Sequence, residues 1–331
     1  AVAKARLIQP LEEMAIGVTP RGLVIGGGLA GMTAALELAD QGFECYLVER
    51  EKELGGNLRW LHYTLENDNI QDFLRETVQK VMDHELIQVY TGAEIKEVSG
   101  YVGNFKTTIE QDGQSIELEH GVVIVATGGR EYTPHEYSYG EDPRILTQRE
   151  LEQRIVGDPS QIRDCKTVVM IQCVGSRTEE RPYCSKICCS QAVKNALKIK
   201  ELNPEANIYI LYKDVRTYGF RELFYSQARS EGVVFVRYDD EDRPEVAVED
   251  GRLRVTVFDP IVGERLTIEP DLVVLSVAVL PNENEELAKM LKVPRTEEGF
   301  FLEAHVKLRP VDFATCLLYT SDAADEGLGV D

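Results

Sequence analysis

The sequence predicts an α/β protein with two parallel-sheet units, and three observations support this. Strand and helix patterns alternate along most of the 331 residues. A glycine-rich turn, Gly26 to Gly31, separates a strand pattern from a helix pattern near the start of the chain. A second buried-strand pattern, "TVVMIQC", begins the same order again at Thr167.

The first unit opens with "RGLVIGGGLAGMTAALELADQGFECYLVER", which indicates strand, glycine turn, helix and strand. Its helix is expected to begin at about Leu29. Gly26 permits a sharp turn, Gly28 lets a pyrophosphate approach the backbone, and Gly31 permits close helix packing. The helix N-terminus offers free N–H groups to phosphates. Glu49 follows the second strand and is expected to accept hydrogen bonds from an adenosine ribose.

Two further segments complete this motif. "ELGGN" supplies Gly56 and Asn57 directly after the acid, and "GVVIVATGG" is a buried strand that ends in Ala126, Thr127 and Gly128. Together with the glycine turn, they resemble the FAD domain of thioredoxin-reductase-like flavoproteins. The resemblance implies FAD rather than NAD, and two Rossmann-like dinucleotide-binding folds with the second inserted into the first.

The second unit is expected from about Gln161 to Leu280. Its first strand, "TVVMIQC", is followed by the helix pattern "SKICCSQAVKNALKIKEL" and the strand pattern "ANIYILY". The segment between that first strand and its helix should be glycine-rich if NAD(P)H binds there, yet it contains only Gly175. An ordinary nicotinamide site is therefore not expected.

Four cysteines stand in that segment instead: Cys173, Cys184, Cys188 and Cys189. Four thiolates are the usual ligand set of an iron-sulfur cluster. The first residues of the expected helix place Cys184 and Cys188 on one face, four residues apart. Structural zinc usually takes two short-spaced pairs, and the chain has no C-x-x-C pair. The spacing therefore favours a [4Fe-4S] cluster, while structural zinc stays an alternative.

"CVGSR" followed by "YCSKICC" resembles the signature of the A-type subunits of heterodisulfide reductases and their relatives in quinone-interacting oxidoreductase complexes. "GYVGNFKTTI" and "AHVKLRPVD" resemble the same family, and the match covers nearly all of 18–315. The resemblance implies an oxidoreductase with FAD and a [4Fe-4S] cluster that passes electrons to partner subunits. The implied partners are the other subunits of such a complex and ferredoxin-, hydrogenase- or dehydrogenase-type electron carriers.

The resemblance also suggests the domain boundaries. Residues 18–130 and 282–315 are expected to form the FAD-binding domain, 131–160 a linker, and 161–281 the inserted domain with the cysteines. Residues 1–17 are expected to be the remnant of a longer protein, of which this chain is a fragment. Residues 316–331 resemble the translation of a sequencing adapter and are predicted to be a non-native tail.

Charge and cysteine content narrow the remaining possibilities. A formal charge of −21 disfavours nucleic acid and anionic membranes as partners. The longest apolar run, "LVVLSVAVL", is too short to span a bilayer. Four of the seven cysteines stand in one short segment and the others are scattered, which favours thiolate ligands in a reducing, cytoplasmic compartment over a disulfide framework. Lys307 is a candidate for tuning the flavin. Two alternatives stay open: a stand-alone NAD(P)H-dependent flavin oxidoreductase and a non-catalytic scaffold with structural zinc.

Overall fold

The computed structural model describes residues 17–320, so residues 1–16 and 321–331 of the predicted terminal segments lie outside it. The strands and helices of the first unit are β1 (Arg21–Ile25), α1 (Leu29–Asp40), β2 (Glu44–Glu49), α2 (Ile70–Asp83), β3 (Ile87–Thr91), β7 (Val122–Val125) and β18 (Leu318–Thr320). The strands form a parallel sheet in the order β18-β7-β1-β2-β3. Helices α1 and α2 and a 3₁₀ turn at Gly56–Trp60 pack against this sheet.

The elements of the second unit are β9 (Ile145–Thr147), α3 (Gln148–Gly157), α4 (Pro159–Arg163), β10 (Thr167–Val174), α5 (Cys188–Leu202), β11 (Asn207–Tyr212), α6 (Glu222–Ser230), β12 (Val234–Arg237) and β16 (Leu272–Val277). The strands form a second parallel sheet in the order β12-β11-β10-β16-β9. Strand β16 is buried along its whole length and β10 at every residue after Thr167, because the sheet is covered on both faces.

The two units share a four-stranded core, β7-β1-β2-β3 in the first and β16-β10-β11-β12 in the second, which has no counterpart in visible sequence repeats. In each unit a three-stranded antiparallel sheet lies in the chain between the third and fourth strands of this core. The fifth parallel strand differs, because β18 follows the core of the first unit whereas β9 precedes that of the second. The first antiparallel sheet comprises β4 (Ala93–Tyr101), β5 (Asn104–Gln111) and β6 (Gln114–His120), and the second β13 (Glu245–Glu249), β14 (Arg252–Asp259) and β15 (Glu264–Ile268).

The chain passes between the units through an antiparallel strand pair. β8 (Gly129–Glu131) leaves the first unit, and β17 (Val279–Pro281) returns beside it before α7 (Glu285–Leu291). The second unit therefore lies within the first, which confirms the predicted fold class.

Two segments form regular structure where the sequence predicts a linker or a tail. Three elements begin in the expected linker: β9 is an edge strand of the second sheet, and α3 and α4 pack on that sheet. Leu318 of β18 is buried and pairs with Val123 at the edge of the first sheet. The domain boundaries themselves stay predictions. Among the residues described, no helix is both long and apolar enough to cross a membrane.

Helix α3 begins with a capping box, and we expect its loss to be measurable. The Thr147 hydroxyl accepts a hydrogen bond from the Glu150 N–H at 3.2 Å, and the Glu150 carboxylate accepts one from the Thr147 N–H at 2.7 Å. Thr147→Ala should lower the free energy of unfolding by about 1 kcal/mol, whereas Thr147→Ser should retain most of it. Urea denaturation of both variants checks this, and an equal loss in both would contradict the capping role.

His120 gives the fold a pH dependence. It is buried, its Nδ1–H donates to the Val122 carbonyl at 3.1 Å, and its Nε2 accepts from the Thr107 hydroxyl at 2.8 Å. Burial lowers the pKa of His120 from 6.5 to about 4. The unfolded chain therefore binds a proton at pH 5 that the folded chain does not, so stability is lost as pH falls from about 6.5 towards 4.

We expect wild type to lose about 2 kcal/mol through His120 between pH 7 and pH 5, and His120→Gln to lack that part of the loss. The measurement is urea denaturation of both proteins at the two pH values. If both show the same pH slope, His120 does not carry the effect.

Candidate functional site

The glycine turn between β1 and α1 forms a cradle in the first unit. Gly26 has φ +112°, and a Cβ there would overlap the carbonyl of Ala126. A Cβ at Gly31 would overlap the Gly26 carbonyl, so Gly31 holds the helix against the turn. At Gly28, by contrast, a Cβ would meet no described atom within 4 Å. The first turn of α1 therefore faces open space, which is the geometry of a phosphate site.

The acid and the second glycine loop border the same space. Glu49 is buried; its Oε2 accepts from the Gly27 N–H at 2.5 Å and its Oε1 from the Glu51 N–H at 2.7 Å. A Cβ on Gly56 would lie 3.1 Å from the Gly28 Cα. Asn57 donates from Nδ2 to the Gly129 carbonyl at 3.1 Å. Glu49 and Asn57 thus hold the loops in place as well as bordering the site.

The loop after β7 closes the cradle from the other side. Ala126 donates its N–H to the Ile25 carbonyl at 2.7 Å. Asn282 donates to the Thr127 carbonyl at 2.6 Å, and Asn284 donates to the Thr127 hydroxyl at 3.0 Å. The two asparagines were not predicted from the sequence, because they follow β17, more than 150 residues away in the chain.

These loops open into one cavity of about 1400 Å³. Eight of the nine predicted flavin residues line it, and Gly31 packs behind the turn. Lys307 is exposed and does not belong to the lining, although Val306 and Pro310 on either side of it do. The eight lining residues are Gly26, Gly28, Glu49, Gly56, Asn57, Ala126, Thr127 and Gly128.

Three further residues of the cavity lining interact with one another: Arg149 forms an ion pair with Glu131 and stacks on the ring of Trp60. The Arg149 guanidinium lies 4.1 Å from the centroid of the Trp60 ring and 3.7 Å from Glu131 Oε2. Burial raises the pKa of Glu131 from 4.5 to about 7, although Arg149 acts against the shift. Near neutral pH this carboxyl can therefore hold or release a proton.

One face of α5 also lines the cavity. The lining residues here recur at helical spacing: the N-cap residue Ile187, followed by Ser190, Gln191 and Lys194 within the helix. The buried Lys194 ammonium donates to Glu152 Oε2 at 2.7 Å and to the Tyr63 carbonyl at 3.0 Å. Burial lowers the pKa of Lys194, and Glu152 partly offsets this. Lys194 was not predicted from the sequence, and its only sequence signal is this spacing.

The four cysteines lie at the N-terminal end of the same helix. Cys173, the last but one residue of β10, has φ +62°, and α5 begins at Cys188. Cys184 precedes the helix, so the expectation that Cys184 and Cys188 share a helix face was wrong. Lys186, with φ +63°, is left-handed and stops the helix from starting earlier. Cys184 Sγ instead accepts a hydrogen bond from the Lys186 N–H at 3.3 Å.

The four thiols affect one another's pKa. Burial raises the pKa of Cys173 to about 11, and the charges of Cys189 and Cys184 add to the shift. The hydrogen bond between Cys188 and Cys189 raises the pKa of Cys188 and lowers that of Cys189 to about 7. The positive charge of Arg177 acts against the raised pKa of Cys173. The site therefore combines four electrostatically coupled thiols with nearby positive charge.

Within residues 17–320, no group of three or more His, Cys, Asp or Glu side chains is placed to hold a metal ion. The cysteines are brought together, but their role as ligands stays a prediction.

The turn after β10 differs from the glycine cradle of the first unit. A Cβ on Gly175 would overlap the ring of Tyr132, so that ring fills the space beside the turn. The Arg181 guanidinium lies 4.6 Å from the centroid of the Tyr132 ring and donates from Nε to the Gly175 carbonyl at 2.6 Å. The second unit therefore lacks the open phosphate space seen at Gly28.

Comparison with known proteins agrees with this architecture. Residues 20–169 match the model of the pyridine nucleotide-disulphide oxidoreductase family, which implies FAD. The chain is 33% identical to the A-type subunit of H(2):CoB-CoM heterodisulfide,ferredoxin reductase of Methanothermobacter marburgensis, over 98% of this chain and 63% of that protein. It is 34% identical to an A-type iron-sulfur subunit of the CoB--CoM heterodisulfide reductase of Methanopyrus kandleri, over 95% and 62%. The chain thus spans less than two thirds of these relatives.

Solved structures share the fold. Thioredoxin reductase from T. acidophilum aligns with a TM-score of 0.60 over 93% of this chain and 96% of that chain, at 15% identity. Thioredoxin reductase from Lactococcus lactis aligns with a TM-score of 0.61 over 92% and 90%, at 18% identity. The chain is therefore a homologue of the A-type subunits of heterodisulfide reductases, with a thioredoxin-reductase-like fold.

Proposed function

We propose that this chain is the FAD- and [4Fe-4S]-carrying electron-transfer part of a heterodisulfide reductase-like oxidoreductase complex, in which it exchanges electrons with partner subunits. One observation carries the proposal: the helix that begins with Cys188 and Cys189 turns a face into the cavity of the glycine motif. Helix α5 therefore joins the two predicted cofactor sites directly. The predicted cytoplasmic location belongs to the same proposal.

The residues present fit FAD. The space at Gly28 is open where a side chain would otherwise stand, and the N-terminus of α1 faces it. Trp60, Arg149 and the face of α5 line the same cavity. Its volume of about 1400 Å³ is large enough for a dinucleotide.

The donor set fits a [4Fe-4S] cluster. Such a cluster takes four thiolates, each on a different iron, so its ligands stand farther apart than those of one metal ion. The four cysteines lie around the N-terminus of α5, whose dipole favours negative charge. Arg177 and Arg216 interact electrostatically with Cys173 and Cys184, respectively. Nearby positive charge and a helix N-terminus both stabilise an anionic cluster.

When bound, FAD supplies two-electron chemistry and the cluster one-electron transfer. The protein residues bind, orient and balance charge. Lys194 places an ammonium in the cavity, where it can stabilise negative charge, and Glu152 fixes its position. Glu131 can hold a proton on its carboxyl near neutral pH, because burial raises its pKa to about 7. The Trp60 ring and the Arg149 guanidinium line the cavity.

The stand-alone NAD(P)H-dependent oxidoreductase finds less support. Such an enzyme needs a second dinucleotide cradle, and the Tyr132 ring fills the space beside Gly175 where that cradle is expected. The relatives carry names of complex subunits, which favours electron exchange with other subunits over direct reduction by a nicotinamide.

Anaerobic purification with flavin, iron and sulfide counts on the same sample tests the proposal. We expect one flavin and about four iron per chain. NAD(P)H alone should reduce the flavin slowly, whereas a reduced electron-carrier protein should reduce it fast. Flavin without iron, together with fast reduction by NAD(P)H, would favour the stand-alone oxidoreductase instead. Zinc without sulfide or flavin would favour the scaffold.

A further inference from the structure

An apolar patch stands exposed beside the four cysteines. It consists of Tyr218, Phe220 and Leu223, which are 60%, 89% and 68% exposed. Together they form the Phe220 patch, at the 3₁₀ turn Gly219–Arg221 and the start of α6. Large apolar side chains that cluster at a protein surface indicate an interaction site more often than isolated ones do.

The segment that carries the patch contacts the cysteine site directly. The Asp214 carbonyl accepts a hydrogen bond from Cys189 Sγ at 3.6 Å. The backbone of Arg216 also hydrogen-bonds Cys189, and its guanidinium interacts electrostatically with Cys184. Arg221, between Phe220 and Leu223, lines the cavity together with Lys186. A molecule docked on the Phe220 patch would therefore lie next to the cysteines.

The charge around the patch differs from that of the whole chain. Lys213 is buried and pairs with Asp240 at 2.5 Å. Without it, segments 176–187 and 213–223 carry five basic and four acidic residues, whereas the chain as a whole has a net charge of −21. Arg177 and Arg216 share the single carboxylate of Asp214, at 2.7 and 3.7 Å. The patch thus has a basic rim on an otherwise acidic protein. An acidic partner would be repelled elsewhere and attracted here.

We propose that the Phe220 patch and its basic rim form the docking surface for a small acidic one-electron carrier protein. This inference rests on the proposed function and names a partner for its cysteine site. A small apolar centre with a charged rim is typical of electron-transfer encounters, which bury little surface and dissociate readily. Direct access to the cysteines gives the carrier a short path to the site.

A bacterial ferredoxin with two [4Fe-4S] clusters is a suitable probe, and the full chain is titrated with it. Phe220→Ser should raise the Kd at least about tenfold, because it removes the apolar centre of the contact. Ile261→Ser is the matched control: Ile261 is also 89% exposed, but it lies in the turn between β14 and β15. The control should change the Kd by less than about twofold. Cytochrome c, a basic carrier, should bind both variants alike.

Three results would overturn the inference: no ferredoxin binding by wild type, an equal effect of the two substitutions, or a wild-type dimer that Phe220→Ser converts to a monomer. The last would assign the patch to a second copy of the chain. Iron and flavin counts on the titrated sample separate the two proposals. Binding that depends on Phe220 in a sample without iron refutes only the cluster, whereas iron without such binding refutes only the docking surface.

Discussion

Cys188→Ser is expected to remove essentially all bound iron from the purified protein. Cys188 is only 2% exposed and stands at the first position of α5, among the other three cysteines. A serine hydroxyl does not ionise at neutral pH and is a poor iron ligand, so the cluster would lose one of its four attachments. Iron and acid-labile sulfide counts after anaerobic reconstitution give the result.

Cys165→Ser is the matched control. Cys165 is also buried, but it lies outside the cysteine site, and its thiol donates to the Gln161 carbonyl at 3.1 Å. A serine hydroxyl can make the same hydrogen bond, so this variant should keep its iron. Unchanged iron in Cys188→Ser would refute the four-cysteine cluster, and equal iron loss in both variants would point to general unfolding.

The fold was predictable because its signals are local. Each strand and helix near the glycine turn has its own hydrophobic pattern, and Gly26 is required by a backbone that turns sharply with φ +112°. The second unit was predicted from its own strand and helix patterns, although the two units share no visible sequence repeat, because equivalent positions share burial rather than residue identity. Strand β18 was also missed, since its three residues gain their register only by pairing with β7.

The site was predictable only in part. The glycine and cysteine motifs are compact in sequence, and their residues do gather at one cavity and at one helix end. Trp60, Glu131 and Arg149 come from three separate segments, and only the packing of the two units brings them together. Neither residue type nor spacing distinguishes such residues from ordinary surface residues.

Gly28→Ala is expected to abolish or strongly weaken FAD binding while leaving the fold intact. Gly28 has φ −75°, which alanine adopts readily, and its Cβ would meet no protein atom within 4 Å. The methyl group would instead stand where the pyrophosphate approaches the backbone. We expect FAD affinity to fall by at least about 100-fold, or about 3 kcal/mol. Fluorescence titration of the deflavinated protein with FAD measures it, alongside urea denaturation without FAD.

Gly157→Ala and Gly31→Ala separate the possible reasons for such a loss. A Cβ at Gly157, at the end of α3, would also meet no atom within 4 Å, but it lies outside the cavity, so FAD binding should not change. A Cβ at Gly31 would overlap the Gly26 carbonyl, so that variant should lose stability as well as FAD. If Gly28→Ala instead lowers stability as Gly31→Ala does, the open space at Gly28 serves packing, and the cradle is not a phosphate site. A loss of FAD at unchanged stability, seen only for Gly28, requires a ligand in that space.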